Sequence, residues 1–406
     1  MQREEARRDV AFAGGGGGVV WRPVRALADR IAVGSLALRF PDGTQHLAQG
    51  AQPGPAAEIE VRRTRLLRRL VLGGSVAMGE AYVDGDWESP DIAALVELAA
   101  RNGSAALGPA RRWSPLRLAH RALHRLRPNS RAGSRRNIAA HYDLGNDFFA
   151  AWLDAGMTYS AAMPAAPDEP LETAQDRKYR AIAAAAGLRP GMTVLEIGSG
   201  WGGFAEIAAR DYGCRVTGLT LSREQCAYAN RRAADAGLGD RVRHVLRDYR
   251  DETGVYDAAV SIEMIEAVGE RYWPQFYAVL RDRLRPGGIA ALQAITIEPA
   301  RFERYRRNAD FIQRYVFPGG MLPTADAIRG GAAVAGLRLA EVEAFGPAYA
   351  WTLRRWRERF DAAWPQIAAM GCDERFRRLW RYYLAYCEGG FRAGSLDVGH
   401  FRIVRP

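Results

Sequence analysis

Apolar and polar residues form a regular succession of short blocks through the second half of the chain. Compact apolar runs are separated by longer segments in which apolar residues recur at helical spacing. The apolar runs predict five strands, at residues 193–197, 215–219, 242–246, 256–262 and 289–297. The segments between them predict helices at residues 204–212, 223–236 and 273–284. This alternation predicts an α/β fold built on a doubly wound, mostly parallel sheet.

Two more strands and two helical insertions are predicted toward the end of the chain. Strands near residues 337–345 and 398–404 bring the sheet to seven strands, and the insertions cover residues 299–336 and 349–391. The second insertion is rich in aromatic residues. Such residues fill cores more often than they line ligand surfaces, but they would also suit the wall of a pocket for an apolar chain. The sequence leaves both interpretations open.

The first third of the chain predicts a separate small α+β domain over about residues 20–105. Strand-like alternation extends over residues 36–61 and is broken by the turn sequence Pro41-Asp42-Gly43. Helices are predicted at residues 66–71 and 92–102, with a turn-rich segment at residues 79–87. A chain of 406 residues is long enough for two domains. The predicted division is an N-terminal accessory domain (1–105), a linker (106–136) and a larger α/β domain (137–406).

The net charge of +11 is concentrated in one segment. Residues 101–136 contain ten arginines and neither Asp nor Glu, which indicates an anionic partner. Ser114-Pro115 predicts a helix start, and apolar residues follow at helical spacing with arginines on the other side. This basic amphipathic helix suits docking to an anionic membrane, packing on its own protein, or nucleic-acid binding, in that order of preference.

Membrane-spanning and metal-binding patterns are missing from the sequence. No stretch approaches the roughly 20 apolar residues that cross a bilayer. Residues 1–10 alternate acids and arginines without an apolar core, so we expect no signal peptide there. The four cysteines have no metal-ligand spacing, so we expect no metal site and interpret them as free thiols in a reducing cytoplasm.

The most specific motif is the segment 194–203, in which an apolar run with Glu196 is followed by four glycines within six positions. Glycine allows a sharp turn from strand into helix and a close approach of the backbone to a ligand. A dinucleotide site would have an acid at the end of the next strand, where this chain has Thr220 and then Gln225. No Lys or Arg follows the glycines to meet phosphates. The motif therefore favours a nucleoside with a small charged tail, such as S-adenosylmethionine (SAM).

Side chains at the ends of consecutive strands are the candidates for binding this nucleoside. Glu196 would hold the cationic amine, and Thr220 and Gln225 would bind the ribose hydroxyls. The segment 247–250, which contains Asp248 and Tyr249, would flank the adenine by hydrogen bonding and stacking.

Two carboxylates, Glu263 and Glu266, lie three residues apart in an apolar segment after the fourth strand. Burial of such a pair is costly without partners. The alternatives are a solvent-exposed pair at a helix start and a pair of which at least one member handles a proton at the reacting centre.

These motifs resemble the cyclopropane-fatty-acyl-phospholipid synthase family of SAM-dependent enzymes, which includes the mycolic acid cyclopropane synthases. The matching segments follow in order along residues 137–406: 141–149, 157–160, 196–203, 218–222 with Gln225, 266–269, 316–320, 322–323 and 356–364. The N-terminal region is more weakly similar to the extra domain of bacterial members.

The resemblance implies a reaction and a set of site residues. The family transfers the SAM methyl group to a cis double bond in a phospholipid acyl chain, and loss of a proton from the new methyl closes a cyclopropane ring. A bound bicarbonate is the implied base, held by residues that match Glu266, Tyr349 and the backbone of Ile295. Together with Glu196, Leu221 and Asp248, the SAM contacts are expected to be Tyr159, Ser160, Gly198, Gly200, Thr220, Gln225 and Tyr249.

Two positions depart from the family pattern. Ala161 stands where a cysteine usually follows the Tyr-Ser pair, and Gln293 stands where a histidine is common. Gln293 still offers a hydrogen bond and remains a candidate site residue, whereas the Ala161 side chain offers none. The anion site is therefore expected to be weaker or rearranged. If the proton is lost elsewhere, the product is a methyl- or methylene-branched fatty acid instead of a ring.

The resemblance also implies partners and a location. We expect unsaturated phospholipid acyl chains as substrate, an anionic membrane surface as docking partner and no nucleic acid. The location is expected to be the cytoplasm, at the inner face of the membrane. The role of the N-terminal domain stays open at this point, with homodimer formation and membrane docking as candidates. The rival hypotheses are a methyltransferase of a small polar metabolite and a lipid- or nucleic-acid-binding protein without activity.

Overall fold

The computed structural model describes residues 19–103 and 144–406. The chain divides into two compact units, residues 1–114 and 115–406. The glycine run at residues 14–18, the predicted basic linker at 106–136 and the motif residues 141–143 lie outside the described residues.

The first unit contains a four-stranded sheet and helices on a mixed α+β plan. Its described helices are α1 (Arg22–Ala28), α2 (Arg65–Val83) and α3 (Ile92–Asn102), and its strands are β1 (Val33–Arg39), β2 (Gln45–Gln49), β3 (Gln52–Val61) and β4 (Trp87–Glu88). The strand order is β2-β1-β3-β4, in which β1 and β3 are parallel and the other neighbours antiparallel. The carboxylate of Asp91 caps α3 by accepting a hydrogen bond from the Ala94 N–H (3.0 Å).

The prediction of a turn-rich segment at residues 79–87 is wrong in its first half, because α2 continues to Val83. Ala77, Ala81 and Tyr82 are at most 5% exposed. Their packing outweighs the low helix propensity of Gly79.

The second unit is built on a seven-stranded sheet. The strands are β5 (Thr193–Ile197), β6 (Arg215–Thr220), β7 (Val242–Leu246), β8 (Tyr256–Ile262), β9 (Leu284–Ile297), β10 (Arg338–Ala344) and β11 (Leu396–Val404). Their order is β10-β11-β9-β8-β5-β6-β7, and only the pairings of β11 are antiparallel. This confirms the mostly parallel, seven-stranded sheet. Strand β9 begins five residues earlier than predicted, because Leu284 already pairs with Tyr256 of β8.

Helices cover both faces of this sheet. They are α4 (Asn146–Ala150), α5 (Leu171–Ala185), α6 (Gly203–Arg210), α7 (Arg223–Asp235), α8 (Ile265–Val268), α9 (Trp273–Arg283), α10 (Pro299–Arg307), α11 (Phe311–Tyr315), α12 (Ala325–Val334), α13 (Gly346–Ala362), α14 (Trp364–Ala369) and α15 (Glu374–Arg392). Successive residues of a strand point to opposite faces. Val194 of β5 therefore packs with Phe204 of α6, while Leu195 packs with Phe276 of α9 and Ile328 of α12. This is the doubly wound arrangement that the apolar runs predict.

A third core is made largely of aromatic side chains from α4, α13 and α15. Trp152, Trp356 and Phe360 are fully buried, and Trp380 is 3% exposed. Of the two interpretations of the aromatic insertion, a packed core therefore describes these residues. Among residues 19–103 and 144–406, no helix combines the length and apolar character needed to cross a bilayer.

Candidate active site

The glycine turn after β5 has the left-handed backbone conformation that its composition predicts. Gly198, Gly200 and Gly202 have φ angles of +83°, +51° and +86°, which residues with a side chain rarely adopt. The Gly198 N–H donates to the carbonyl of Leu219 (2.9 Å), which ties the turn to β6. A Cβ atom on Gly198 would lie 2.9 Å from the side chain of Met264. The turn therefore lies against the segment that follows β8.

Glu196 is a buried acid at the start of this turn. It is 3% exposed, and its Oε2 has no hydrogen-bond partner among the described residues. Burial raises the pKa of Glu196 well above its ordinary value, and the positive charges of Lys178 and Arg232 oppose this rise. A cationic group of a ligand would stabilise the ionised form of Glu196. This orphaned oxygen fits the amine of SAM.

The expected ribose contacts lie together where β6 ends. The Thr220 hydroxyl is 2.9 Å from Gln225 Oε1 and accepts from the Ser222 N–H (3.1 Å). Ser222 caps helix α7 by accepting from the Gln225 N–H (3.2 Å). Thr220 and Gln225 are each 5% exposed, and Leu221 is half-buried between them in sequence. The local capping motif thus holds a buried hydroxyl–amide pair beside the glycine turn.

Asp248 and Tyr249 follow β7, as predicted, but Asp248 has a partner that the sequence did not reveal. Arg250 donates to both carboxylate oxygens of Asp248, at 2.8 and 2.6 Å. The ring of Tyr249 meets Phe276 edge-on at 5.7 Å, and burial raises its pKa to about 12. Any ligand at Asp248 would therefore share that carboxylate with Arg250.

Tyr159 and Ser160 are held by two different elements. The hydroxyls of Tyr159 and Tyr383 lie 2.6 Å apart. The Lys178 ammonium donates to the Ser160 hydroxyl (2.7 Å), and the Gln175 amide donates to the Ser160 carbonyl (2.9 Å). The fully buried Lys178 has its pKa lowered to about 7 by burial, although nearby acids, Glu263 among them, oppose this.

Glu263 accepts hydrogen bonds from three sides. Its Oε1 accepts from the Ala161 N–H (2.8 Å) and from Gln293 Nε2 (2.8 Å). Its Oε2 accepts from the Tyr349 hydroxyl (2.6 Å). Of these three donors, Gln293 and Tyr349 are 1% and 7% exposed. The pair of acids is therefore not a surface feature, because donors from three separate segments converge on one of them.

The carboxylate of Glu266 accepts fewer hydrogen bonds than that of Glu263. Its Oε1 accepts from the Ile295 N–H (2.6 Å), while its Oε2 is inaccessible and has no partner among the described residues. Burial and the charge of Glu263 raise the pKa of Glu266 to about 8. The three hydrogen-bond donors therefore favour the negative charge on Glu263, whereas one oxygen of Glu266 has no donor among the described residues.

The four predicted residues Glu266, Tyr349, Gln293 and Ile295 thus lie around the turn after β8, but Tyr349 and Gln293 bond to Glu263 and not to Glu266. Sequence reasoning missed Lys178 altogether. A signal was available, because Lys178 is the only lysine among the 57 basic residues of the chain.

Comparison with known proteins places these motifs in context. The family model described as mycolic acid cyclopropane synthetase matches residues 129–401. Tuberculostearic acid methyltransferase UfaA1 of Mycobacterium tuberculosis is 42% identical over 91% of this chain and 88% of the relative. The cyclopropane-fatty-acyl-phospholipid synthase of Escherichia coli K12 is 37% identical over 84% of this chain and 86% of the relative.

A solved structure gives the same picture. Mycolic acid cyclopropane synthase CmaA1, complexed with SAH and CTAB, aligns with a TM-score of 0.62 and 31% identity, over 66% of this chain and 98% of that one. Together with the family match, it confirms the resemblance found in the sequence motifs.

Proposed function

We propose that this chain, which belongs to the mycolic acid cyclopropane synthetase family, transfers the methyl group of SAM to a cis double bond of a phospholipid acyl chain and forms a cyclopropane fatty acid. The chain is a SAM-dependent methyltransferase of lipid substrates. One observation carries the proposed transfer of the methyl group. A glycine turn with an orphaned buried acid, Glu196, lies against the segment that carries the Glu263–Glu266 pair.

The proposed SAM site comprises the residues at the ends of β5, β6 and β7 and the Tyr-Ser pair. They are Tyr159, Ser160, Glu196, Gly198, Gly200, Thr220, Leu221, Gln225, Asp248 and Tyr249. When bound, SAM supplies an electrophilic methyl group. Glu196 would hold its amine, and the buried Thr220–Gln225 pair would bind its ribose.

The proposed reaction centre consists of the acids after β8 and their donors. Glu266 and the Ile295 N–H would border the reacting carbons, and Tyr349 and Gln293 would orient the neighbouring acid Glu263. The aromatic core around Tyr349 supports the proposal of an apolar substrate. Such a core excludes water, and a carbocation must be kept from water. Aromatic faces also stabilise nearby positive charge.

The second candidate function is fatty-acid C-methylation, which yields a methyl- or methylene-branched chain. The match of 42% identity to a protein named tuberculostearic acid methyltransferase favours it. Both reactions begin with the same methyl transfer. They differ in what happens to the cation that this transfer creates.

Mass spectrometry of membrane fatty acids tests both candidates. Cells that express the chain would be fed methyl-deuterated methionine, with vector-only cells as the control. A new acid heavier by one CH2 that retains two deuteriums would mean that the transferred methyl lost a proton. Resistance to mild hydrogenation would then identify the ring, since a methylene group takes up hydrogen.

Other results would revise the proposal. Retention of all three deuteriums would mean that the proton left the acyl chain, which is the methyl-branched outcome of C-methylation. Two deuteriums with uptake of hydrogen would be its methylene-branched outcome. If no labelled lipid forms while SAM is consumed, the substrate is not an acyl chain.

Peripheral binding to an anionic membrane is also part of the proposal. Ten arginines and no acids between residues 101 and 136 support it, because each basic residue near an anionic surface adds about 1 kcal/mol. Replacing Arg117, Arg121 and Arg125 by Gln should weaken sedimentation with anionic vesicles at low salt. Equal sedimentation of variant and wild type would assign no docking role to these arginines.

The proposed organisation keeps the predicted division into an accessory domain (1–105), a linker (106–136) and a catalytic domain (137–406). We assign the accessory domain to homodimer formation or membrane docking at the inner face of the membrane. Analytical ultracentrifugation of the full chain, with and without vesicles, distinguishes the two assignments.

A further inference from the structure

We propose that the Glu263 carboxylate takes the place of the bicarbonate ion implied by the family resemblance and accepts the proton that the new methyl group loses. This inference rests on the proposed function, since it identifies the base of the same reaction. It predicts an enzyme that needs no added anion.

The donors around Glu263 are those that an anion site requires. The Ala161 N–H and Gln293 Nε2 converge on one oxygen, each at 2.8 Å, and the Tyr349 hydroxyl binds the other at 2.6 Å. Charged acceptors form the stronger class of hydrogen bond. The side chain of Ala161 offers no donor, and its backbone N–H supplies the contact on that side.

The direction of the Gln293 amide is set by His400. His400 is 2% exposed, and burial lowers its pKa to about 3, so its ring is neutral. Its Nε2 lies 3.1 Å from Gln293 Oε1. Since a carbonyl oxygen can only accept, Nε2 carries the hydrogen in this tautomer. The Gln293 NH2 group is thereby directed at Glu263.

The backbone of Glu263 is strained. Its φ angle is +50°, in the left-handed region that residues with a side chain disfavour. The adjacent residue Met264 packs against Gly198 of the glycine turn. The hydrogen bonds to its carboxylate therefore hold Glu263 in a strained conformation beside the proposed SAM site, and such conformations recur at functional sites.

A separate bicarbonate ion does not fit this arrangement. The donors at Ala161, Gln293 and Tyr349 that would bind it already bind Glu263. An added anion would also meet the charge of Glu263 at close range, and like charges in a buried site repel strongly. The chain thus provides its own anion at this position.

The chemistry of the step balances with Glu263 as base. The alkene electron pair attacks the SAM methyl carbon, the carbon–sulfur bond breaks, and its electron pair stays on sulfur. This leaves a cation on the other alkene carbon. Glu263 then takes a proton from the new methyl, and the freed C–H electron pair closes the ring. The proton on Glu263 subsequently leaves to solvent.

The environment of Glu263 suits a base. Burial raises its pKa, which increases its affinity for a proton, while the three donors and Lys178 moderate the rise. The neighbouring acid Glu266, whose pKa is raised to about 8 by burial and by the charge of Glu263, has an Oε2 atom with no partner among the described residues. The three hydrogen-bond donors to Glu263 favour its ionised form, which is the form that a base needs.

The test uses the full chain in carbonate-free buffer, with labelled bicarbonate added back. We expect wild-type turnover to be unchanged by removal or return of bicarbonate. Glu263→Gln should lower turnover by a factor of about 100 or more with no rescue. Glu263→Gly should lose turnover but regain part of it with bicarbonate, because the three donors become free. The control variant Glu270→Gln, at a surface ion pair with Arg306, should behave as wild type.

A binding measurement keeps the inference independent of activity. In NMR, the 13C signal of labelled bicarbonate should broaden with the Glu263→Gly variant and stay sharp with the wild type. Saturable binding to the wild type, wild-type turnover that requires bicarbonate, or full turnover of Glu263→Gln would each overturn the inference. Failure of the proposed function would differ, since the wild type would then label no lipid under any condition.

Discussion

The ammonium of Lys178 lies 2.7 Å from the hydroxyl of Ser160, in the interior of the second unit. Every other basic residue of the chain is an arginine. A lysine provides a compact, rotatable point charge, whereas the arginine guanidinium is planar and larger. Lys178 is thus fully buried. Its compact ammonium binds the Ser160 hydroxyl and still lies near Glu196 and Glu263.

Replacing Lys178 by Met should destabilise the protein by about 3–5 kcal/mol, as removal of one partner from a buried charge cluster does. The acids Asp154, Glu196 and Glu263 would lose their buried counter-charge. Urea denaturation measures the change. The matched control is Arg180→Met on the same helix, whose surface ion pairs should contribute less than about 1 kcal/mol. Equal losses in the two variants would contradict a special role for Lys178.

SAM affinity should rise with pH. In the free protein the pKa of Glu196 is raised by burial, and a bound cation would lower it by stabilising the ionised form. Below the raised pKa, binding must therefore release a proton, and affinity increases until that pKa is passed. Calorimetry in two buffers of different ionisation enthalpy measures the proton directly.

The variants that test this are Glu196→Gln and, as its control, Glu224→Gln at an exposed position of α7. Glu196→Gln should weaken SAM binding about tenfold, equivalent to 1.4 kcal/mol, and abolish the proton release. Wild-type affinity that is independent of pH would remove Glu196 from the amine site.

Gly200→Ala and Gly191→Ala should separate backbone strain from ligand contact. Both glycines have positive φ, +51° and +85°, and a Cβ at either would meet nothing within 4 Å. Each variant should therefore lose about 1–2 kcal/mol of stability. Only Gly200→Ala, in the turn after β5, should also weaken SAM binding. If both variants bind SAM equally well, the backbone at Gly200 does not approach the ligand.

The stability of the protein should depend on pH through Glu266. Its pKa is raised to about 8 from an ordinary 4.5, so the folded state holds the proton more tightly than the unfolded state. The associated stability is present below pH 4.5 and is lost as pH rises through 8. Between pH 5 and pH 9, the free energy of unfolding of Glu266→Gln should therefore rise by at least ~1 kcal/mol relative to that of the wild type.

Urea denaturation at the two pH values measures this difference between variant and wild type. The comparison is needed because Lys178, whose pKa is lowered to about 7, gives the wild type an opposite trend at higher pH. Glu270→Gln is the control and should track the wild type. If the free energy of unfolding of Glu266→Gln changes with pH in parallel with that of the wild type, Glu266 is ionised at neutral pH.

Several parts of the fold and site were predictable because they depend on neighbours in sequence. The apolar run before Glu196 predicts a buried strand, and the glycines after it predict the turn. The turn predicted at Gly79 is wrong, because the packing of helix α2 against the residues around it outweighs the low helix propensity of glycine. The pairing of Asp248 with Arg250 was missed although the two residues are close in sequence.

The amino-acid sequence by itself determined the succession of strands and helices, the glycine turn and the family to which the chain belongs, since each is written in local periodicity and motif spacing. Only the tertiary structure decided which acid receives the hydrogen bonds that stabilise an anion. Ala161, Gln293 and Tyr349 are 102, 30 and 86 residues from Glu263, yet all three donate to its carboxylate. Burial and hydrogen bonds set a pKa, and both arise only when distant segments pack together.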